Sequence, residues 1–111
     1  MSRLYLSRNG QIGISTSAIE LMDLQTGNDS YLGLIQDFAE NSFYIYASTP
    51  TATKFKRKVN FEKTNKLWYI TIKRTLMEKI FGENDTKYIS AKLEEEPYNI
   101  EGIECYKILT E

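Results

Sequence analysis

The same order of apolar stretches and turns runs twice along this chain, and that repetition restricts the fold more than any other feature. Residues 10–46 read as a short strand, a helical stretch of eight to ten residues, a Gly/Asn/Asp turn and two more strands, and residues 67–108 repeat the order. An alternating triplet opens each copy, Ile12-Gly13-Ile14 and Ile70-Thr71-Ile72. A polar trio follows, Ser15-Thr16-Ser17 or Lys73-Arg74-Thr75, and then an apolar stretch. The turns correspond as well, Thr26-Gly27-Asn28-Asp29-Ser30 against Gly82-Glu83-Asn84-Asp85-Thr86. A unit of roughly forty residues is near the lower limit for independent folding. Two copies are therefore expected to bury their apolar faces jointly.

The expected fold is mainly β with two short helices, an α+β arrangement of pseudo-two-fold duplicated ββαββ units closing into a small barrel. Residues 1–111 form a single domain in this reading, with repeats at about 3–48 and 54–109 joined by a polar linker at 48–53.

Local signals place the elements. Leu4 and Leu6 alternate with Tyr5 in a first strand, and Asn9-Gly10 is a two-residue hairpin signal. Ser15 or Ser17 can cap a helix carrying Ala18, Ile19, Leu21, Met22 and Leu24, and Gly27 is expected to stop it. Strands follow at Tyr31–Gln36 and Phe43–Ala47. Residues 54–61 alternate, with Phe55, Arg57, Val59 and Phe61 on one side and Lys54, Lys56, Lys58 and Asn60 on the other. Glu62-Lys63-Thr64-Asn65 turns the chain into a strand at Leu67–Lys73. A second helix spans Thr75–Phe81 and stops at Gly82. Strands at Lys87–Leu93 and Ile103–Leu109 flank an acidic segment, Glu94–Asn99, whose proline and like charges argue for a loop.

Composition excludes several functions. Of 111 residues, 41% are hydrophobic and 26% charged, the balance of a soluble globular protein. No apolar run is long enough for a membrane helix, and Met1–Arg8 lacks the apolar core of a signal peptide. The chain has no histidine, which removes the commonest general base and metal ligand. One cysteine, Cys105, builds neither an internal disulfide nor a thiolate zinc site. It reads as a buried thiol of a reducing, cytoplasmic environment. The glycines form no phosphate-binding loop. Asn28-Asp29 and Asn84-Asp85 read as turn formers, and Glu94-Glu95-Glu96 as solvated charge. No enzyme and no cofactor is expected.

Charge is segregated along the chain. Residues 51–80 carry Lys54, Lys56, Arg57, Lys58, Lys63, Lys66, Lys73, Arg74 and Lys79 against Glu62 and Glu78, a net of +7 inside a chain of net charge −1. At period two, Lys54, Lys56 and Lys58 project from one face roughly 6.5–7 Å apart. That repeat is close to the spacing of successive phosphates along a nucleic-acid strand, and each phosphate neutralised adds salt-dependent affinity. Tyr44, Tyr46, Trp68 and Tyr69 are candidates to stack on bases if exposed, and otherwise belong to the core. The alternative use of the lysines is to protect an edge strand from aggregation.

The first unit resembles a known family. Arg8-Asn9-Gly10-Gln11-Ile12-Gly13-Ile14 and the later Met22-Asp23-Leu24-Gln25-Thr26-Gly27-Asn28-Asp29 are similar to the swapped-hairpin domains of the AbrB, MazE and MraZ proteins. Ser15-Thr16 stands where that family usually has proline, and the second unit lacks the Asn-Gly-Gln opening. The tandem arrangement resembles MraZ. The resemblance implies a small pseudo-two-fold barrel and DNA binding through basic residues at hairpin ends and on the barrel surface. In this chain those are Arg8, Lys54, Lys56, Arg57, Lys58, Lys63, Lys66, Lys73 and Arg74. The expected function is thus a nucleic-acid-binding module, a DNA-binding transcriptional regulator. The alternative is a protein-interaction or structural accessory subunit of a larger assembly, such as a phage particle, with a homo-oligomer or protein partner and no membrane.

Overall fold

The computed structural model describes residues 2–24, 30–49, 56–62 and 67–110. Alternation sets the first strands. In β1 (Arg3–Ser7) Leu4 and Leu6 are buried and Tyr5 faces out, while in β2 (Gln11–Ile14) Ile12 and Ile14 are the inward pair. The register Leu6↔Ile12 leaves Arg8-Asn9-Gly10 as a three-residue loop, not the two-residue turn expected from Asn9-Gly10. Gly10 alone in that loop takes a positive φ, 110°. A Cβ there would stand 2.4 Å from the Ile72 carbonyl oxygen, so the turn is pressed against the chain leaving the seventh strand.

Ser15 starts α1 (Thr16–Leu21). Its hydroxyl accepts from Ala18 N at 3.2 Å and from Arg3 N at 3.0 Å, tying the helix start to β1. The helix stops at Leu21, well before Gly27, which lies outside the described residues. Asp23 supplies the left-handed residue instead (φ 52°), and bonds from Asp23 N to Glu20 O and from Leu24 N to Ile19 O close the end. An aspartate tolerates that conformation better than most residues, which is why no glycine was needed.

β3 (Tyr31–Asp37) and β4 (Ser42–Ser48) form a hairpin whose turn is held by Asp37, its carboxylate accepting from Ala39 N and Glu40 N. The alternating segment expected over 54–61 is described from residue 56 onward, as β5 (Arg57–Lys58) and β6 (Asn60–Glu62). β7 (Leu67–Thr71) leads into α2 (Arg74–Phe81), which Gly82 ends at φ 58° as the sequence indicates. β8 (Tyr88–Leu93) buries Ile89, Ala91 and Leu93. Tyr98 and Asn99, read from sequence as loop, form β9 (Tyr98–Ile100) with β10 (Ile103–Leu109) in the register Cys105↔Tyr98. Pro97 sits just before β9, where its missing N–H costs no ladder bond.

The strands make one antiparallel sheet in the order β5-β3-β4-β10-β8-β1-β2-β7-β6, with β9 added to β10. Both ends of that order belong to one segment. β5 pairs with β3 (Tyr31↔Lys58), β6 pairs with β7 (Asn60↔Tyr69), and only Val59 separates them. Val59 is buried and donates its N–H to Ser30 O at 2.8 Å. A strand bent at one residue thereby brings the two sheet edges together, and the sheet becomes a nearly closed barrel.

One core fills it, drawn from both halves of the sequence: Leu4, Leu6, Ile12, Ile14, Leu32 and Ile45 pack with Ile70, Ile89, Ala91 and Ile108. Because Gln11 pairs with Thr71 and Ile14 with Trp68, β2 and β7 end at opposite ends of the barrel. The helices that follow them therefore enter from opposite ends. Ala18 and Ile19 of α1, and Met77, Ile80 and Phe81 of α2, join the same core. A second, smaller cluster lies on the outer face of β3, β4 and β10, where Tyr44, Tyr46 and Cys105 pack with Ile35, Ile100 and Ile103. There the Tyr46 ring fills the space above Gly33, with Cζ only 2.2 Å from where a Cβ would be.

Candidate functional site

Among the described residues no buried side-chain polar atom lacks a hydrogen-bond partner, and no group of acids and thiols converges on a metal-sized site. Their functional chemistry is therefore sought on the surface. The outer face of β3, β4 and β10 is already covered by its own small cluster. Among the described residues, the outer face of β8, β1, β2, β7 and β6 carries no such layer, and both helices pack their apolar sides into the barrel core.

Strand register arranges that open face in rows. Tyr88 pairs with Ser7 and Gln11 with Thr71, and the Leu6↔Ile12 register sets Ser7 and Gln11 one step further along. Ser90, Tyr5, Gly13, Tyr69 and Asn60 form the next row. Beyond it Arg3 stands directly opposite Lys92. The only acid among these outward residues is Glu62. Tyr5 is 45% exposed and Tyr88 73%, whereas the inward residues between them, Leu4, Leu6 and Ile89, are buried. A groove of about 550 Å³ runs over the face, lined by Tyr5, Ser7, Asn9, Gln11, Gly13 and Tyr88 with Leu67 and Ser90.

Cations lie at both ends of these rows. The register Asn60↔Tyr69 carries Lys58 to the level of Thr71, and Arg8 N bonds Lys87 O at 2.9 Å beside the Ser7↔Tyr88 pair. Lys58, Lys73, Arg74 and Lys87 are consequently at one end of the barrel, all exposed. Arg3 and Lys92 mark the other end of the face.

The residues singled out from sequence fall into four groups. Lys58, Lys73 and Arg74 share this end with the groove. Lys56 and Arg57 are half-buried: the Lys56 ammonium lies 4.9 Å from the Tyr31 ring centre and donates to Thr49 O, and Arg57 donates to Lys56 O at 3.3 Å. Lys54, Lys63 and Lys66 lie outside the described residues. Arg8 is committed within the molecule. Its guanidinium donates to Glu78 at 2.6 Å, to Thr86 O at 3.1 Å and to Asn84 O, and stacks 4.6 Å over Phe81. It clamps the first hairpin to the end of α2.

Of the candidate stacking aromatics, Tyr44 and Tyr46 are buried, and Trp68 packs on the core and against Phe61. Tyr69 alone lies on the open face. Sequence reasoning missed Tyr5, Tyr88, Arg3, Lys87 and Lys92. Their signal was the period-two alternation of residues 3–7 and 88–92, which separates Arg3, Tyr5 and Ser7 from Leu4 and Leu6.

Glu94, at the start of the acidic segment, is tied to β10 and β9. Glu94 bonds through its N–H to Lys107 O, and its carboxylate accepts from the Tyr98 hydroxyl. Asp37, Glu40 and Glu94 crowd Tyr44, and burial first and these carboxylates second push its phenol above the ordinary 10.0. Burial likewise raises the Cys105 thiol, which is fully enclosed and remains protonated at neutral pH. No protein-family model matches the chain, and no curated protein or solved structure shows significant similarity to it.

Proposed function

We propose that the protein is a nucleic-acid-binding module whose contact surface is the outer face of β8, β1, β2, β7 and β6. The observation that carries this reading is the combination on one sheet face of exposed tyrosines, intervening amide and hydroxyl side chains, and cations at both ends, with Glu62 the one acid among the described outward strand residues and Glu78 beside Arg74 and Lys87. Tyrosine rings offer stacking surfaces for bases, and lysines and arginines offer counter-charge to phosphates. The first-named use for the protein is DNA binding in transcriptional regulation, which is what the likeness of its first unit to swapped-hairpin domains implies. No catalytic role is part of this proposal.

The duplicated ββαββ organisation belongs to the same proposal. Strand order supports it. Exchanging β1 with the β5–β6 segment, β2 with β7, β3 with β8 and β4 with β10 reproduces the neighbour relations of the barrel. The β2–β7 and β4–β10 pairs would then flank a pseudo-two-fold axis.

Anisotropy of a labelled oligonucleotide, titrated with the protein across salt concentrations, tests the function. Log affinity should fall linearly with log salt, by roughly 0.7–0.9 per phosphate engaged. A variant with Lys58, Lys87 and Lys92 changed to Gln should show a slope shallower by about 2–3. Affinity that ignores salt, or no binding at low salt, contradicts the proposal.

A second reading, an interaction subunit of a larger assembly, has its own observation. Phe38 is 79% exposed at the rim of a groove of about 540 Å³ that Ile35, Tyr46, Ile100 and Ile103 line on the opposite face.

A further inference from the structure

Tyr5 and Tyr88 are diagonal neighbours across β1 and β8, because Tyr5 pairs with Ser90 and Ser7 with Tyr88. Diagonal positions of that kind stand roughly 7–8 Å apart. Two successive stacking contacts of about 3.5 Å occupy nearly that distance. Among the described residues the aromatic ring pairs are Tyr44 with Tyr98 and Phe61 with Trp68, and neither Tyr5 nor Tyr88 belongs to one. On the other face the Tyr46 ring lies over Gly33. At Gly13, whose cross-strand partners are Tyr5 and Tyr69, the smaller Leu67 side chain lies over the glycine instead, 3.0 Å from the position of a Cβ. The groove that results is walled by Tyr5, Tyr88 and Leu67. Asn9 and Gln11 stand along its edge. The Asn9 Oδ1 accepts from Gln11 N at 3.2 Å, which leaves the Asn9 amide NH₂ to donate outward.

We infer that this groove seats one unpaired nucleobase, its faces against Tyr5 and Tyr88 and its polar edge towards Asn9 and Gln11, and that the protein therefore prefers single-stranded nucleic acid. The inference rests on the nucleic-acid reading above and makes it specific. A base inside a duplex is stacked and paired, so it cannot enter a slot between two rings. A base in a single strand can, and its flanking phosphates then meet Lys87 beside Tyr88 and the Arg3–Lys92 pair four residues along β8. Stacking accepts any base, so the seat gives strand selectivity with little sequence preference.

Three labelled probes of equal length decide the matter: a single strand of uniform base, the same backbone with abasic sites, and the corresponding duplex. Wild-type protein should bind the base-bearing strand roughly five- to a hundredfold tighter than the abasic one, and tighter than the duplex. Tyr88→Ser, at a position exposed enough to leave folding intact, should remove most of that preference, and Tyr5→Leu should do the same. Lys87→Gln should weaken the base-bearing and abasic strands by the same factor. Equal affinity for base-bearing and abasic strands, or tighter binding of the duplex, overturns the base seat while leaving nucleic-acid binding standing. Failure to bind any of the three at low salt removes both.

Discussion

Gly10 shows how a single position couples two halves of the sequence. Its φ of 110° disfavours any side chain, and the Ile72 carbonyl occupies the place a Cβ would take. Ile72 N also donates to Gly10 O at 2.8 Å, so the turn cannot retreat without losing that bond. Gly10→Ala should cost about 2–4 kcal/mol, read as a lower urea midpoint with an unchanged slope. Tyr98 carries a different dependence. Its hydroxyl donates to the Glu94 carboxylate, and that bond first, then burial and nearby carboxylates, push the phenol up to about 12. The folded state thus favours the protonated ring. The contribution is complete below the ordinary value of 10.0 and is lost as pH rises through about 12. Burial raises Tyr44, Tyr46 and Tyr106 in the same direction. Stability should therefore fall in alkali, and Tyr98→Phe should shrink the fall. Denaturant midpoints compared at about pH 9 and pH 11, with tyrosinate absorbance followed alongside, would check this.

At the scale of elements, the bent strand through Val59 is the seam of the barrel. Val59→Pro removes the N–H that reaches Ser30 O and disturbs pairing on both sides at once. The expected loss is about 3 kcal/mol, with faster amide exchange in β3 and β7 and little change in β1 and β8. A strand such as β8 was legible in sequence because Ile89, Ala91 and Leu93 alternate with Ser90 and Lys92. The end of α2 was legible because Gly82 takes the positive φ that a helix stop requires. The end of α1 was not, since Asp23 does the same work through a helix-closing hydrogen bond that composition does not advertise. β9 was hidden by its acidic approach: three glutamates and a proline describe residues 94–97 well, but the chain resumes pairing immediately afterwards. The basic segment was visible as a charge run. Its neighbours on the open face were not, because they depend on β1 lying beside β8, a pairing between residues more than eighty positions apart. Local pattern states which side of a strand is apolar; it does not state which strand will lie next to it.

Over the whole molecule, some of the described charges that are uneven along the chain are grouped in space. Carboxylates of Asp37, Glu40 and Glu94 gather round Tyr44 and Tyr98, on the side where β9 and β10 close the small outer cluster. The five-strand face with Tyr5, Tyr69 and Tyr88 carries the cations at its ends. A protein of net charge −1 can in this way present a locally positive surface while the remainder repels polyanions, which orients an approaching strand towards one side. Packing explains why the two sides differ. On one, Tyr46 covers Gly33 and β9 adds a further strand; on the other, the smaller Leu67 covers Gly13 and a groove runs beside it. Amide chemical-shift mapping during titration with a single-stranded oligonucleotide addresses the central claim most directly. Shifts concentrated at Tyr5, Gln11, Gly13, Tyr69 and Tyr88, with Phe38, Ile100 and Ile103 unmoved, are the predicted result. Shifts centred on Phe38 and the β9–β10 hairpin, or none at any strand concentration, would contradict it.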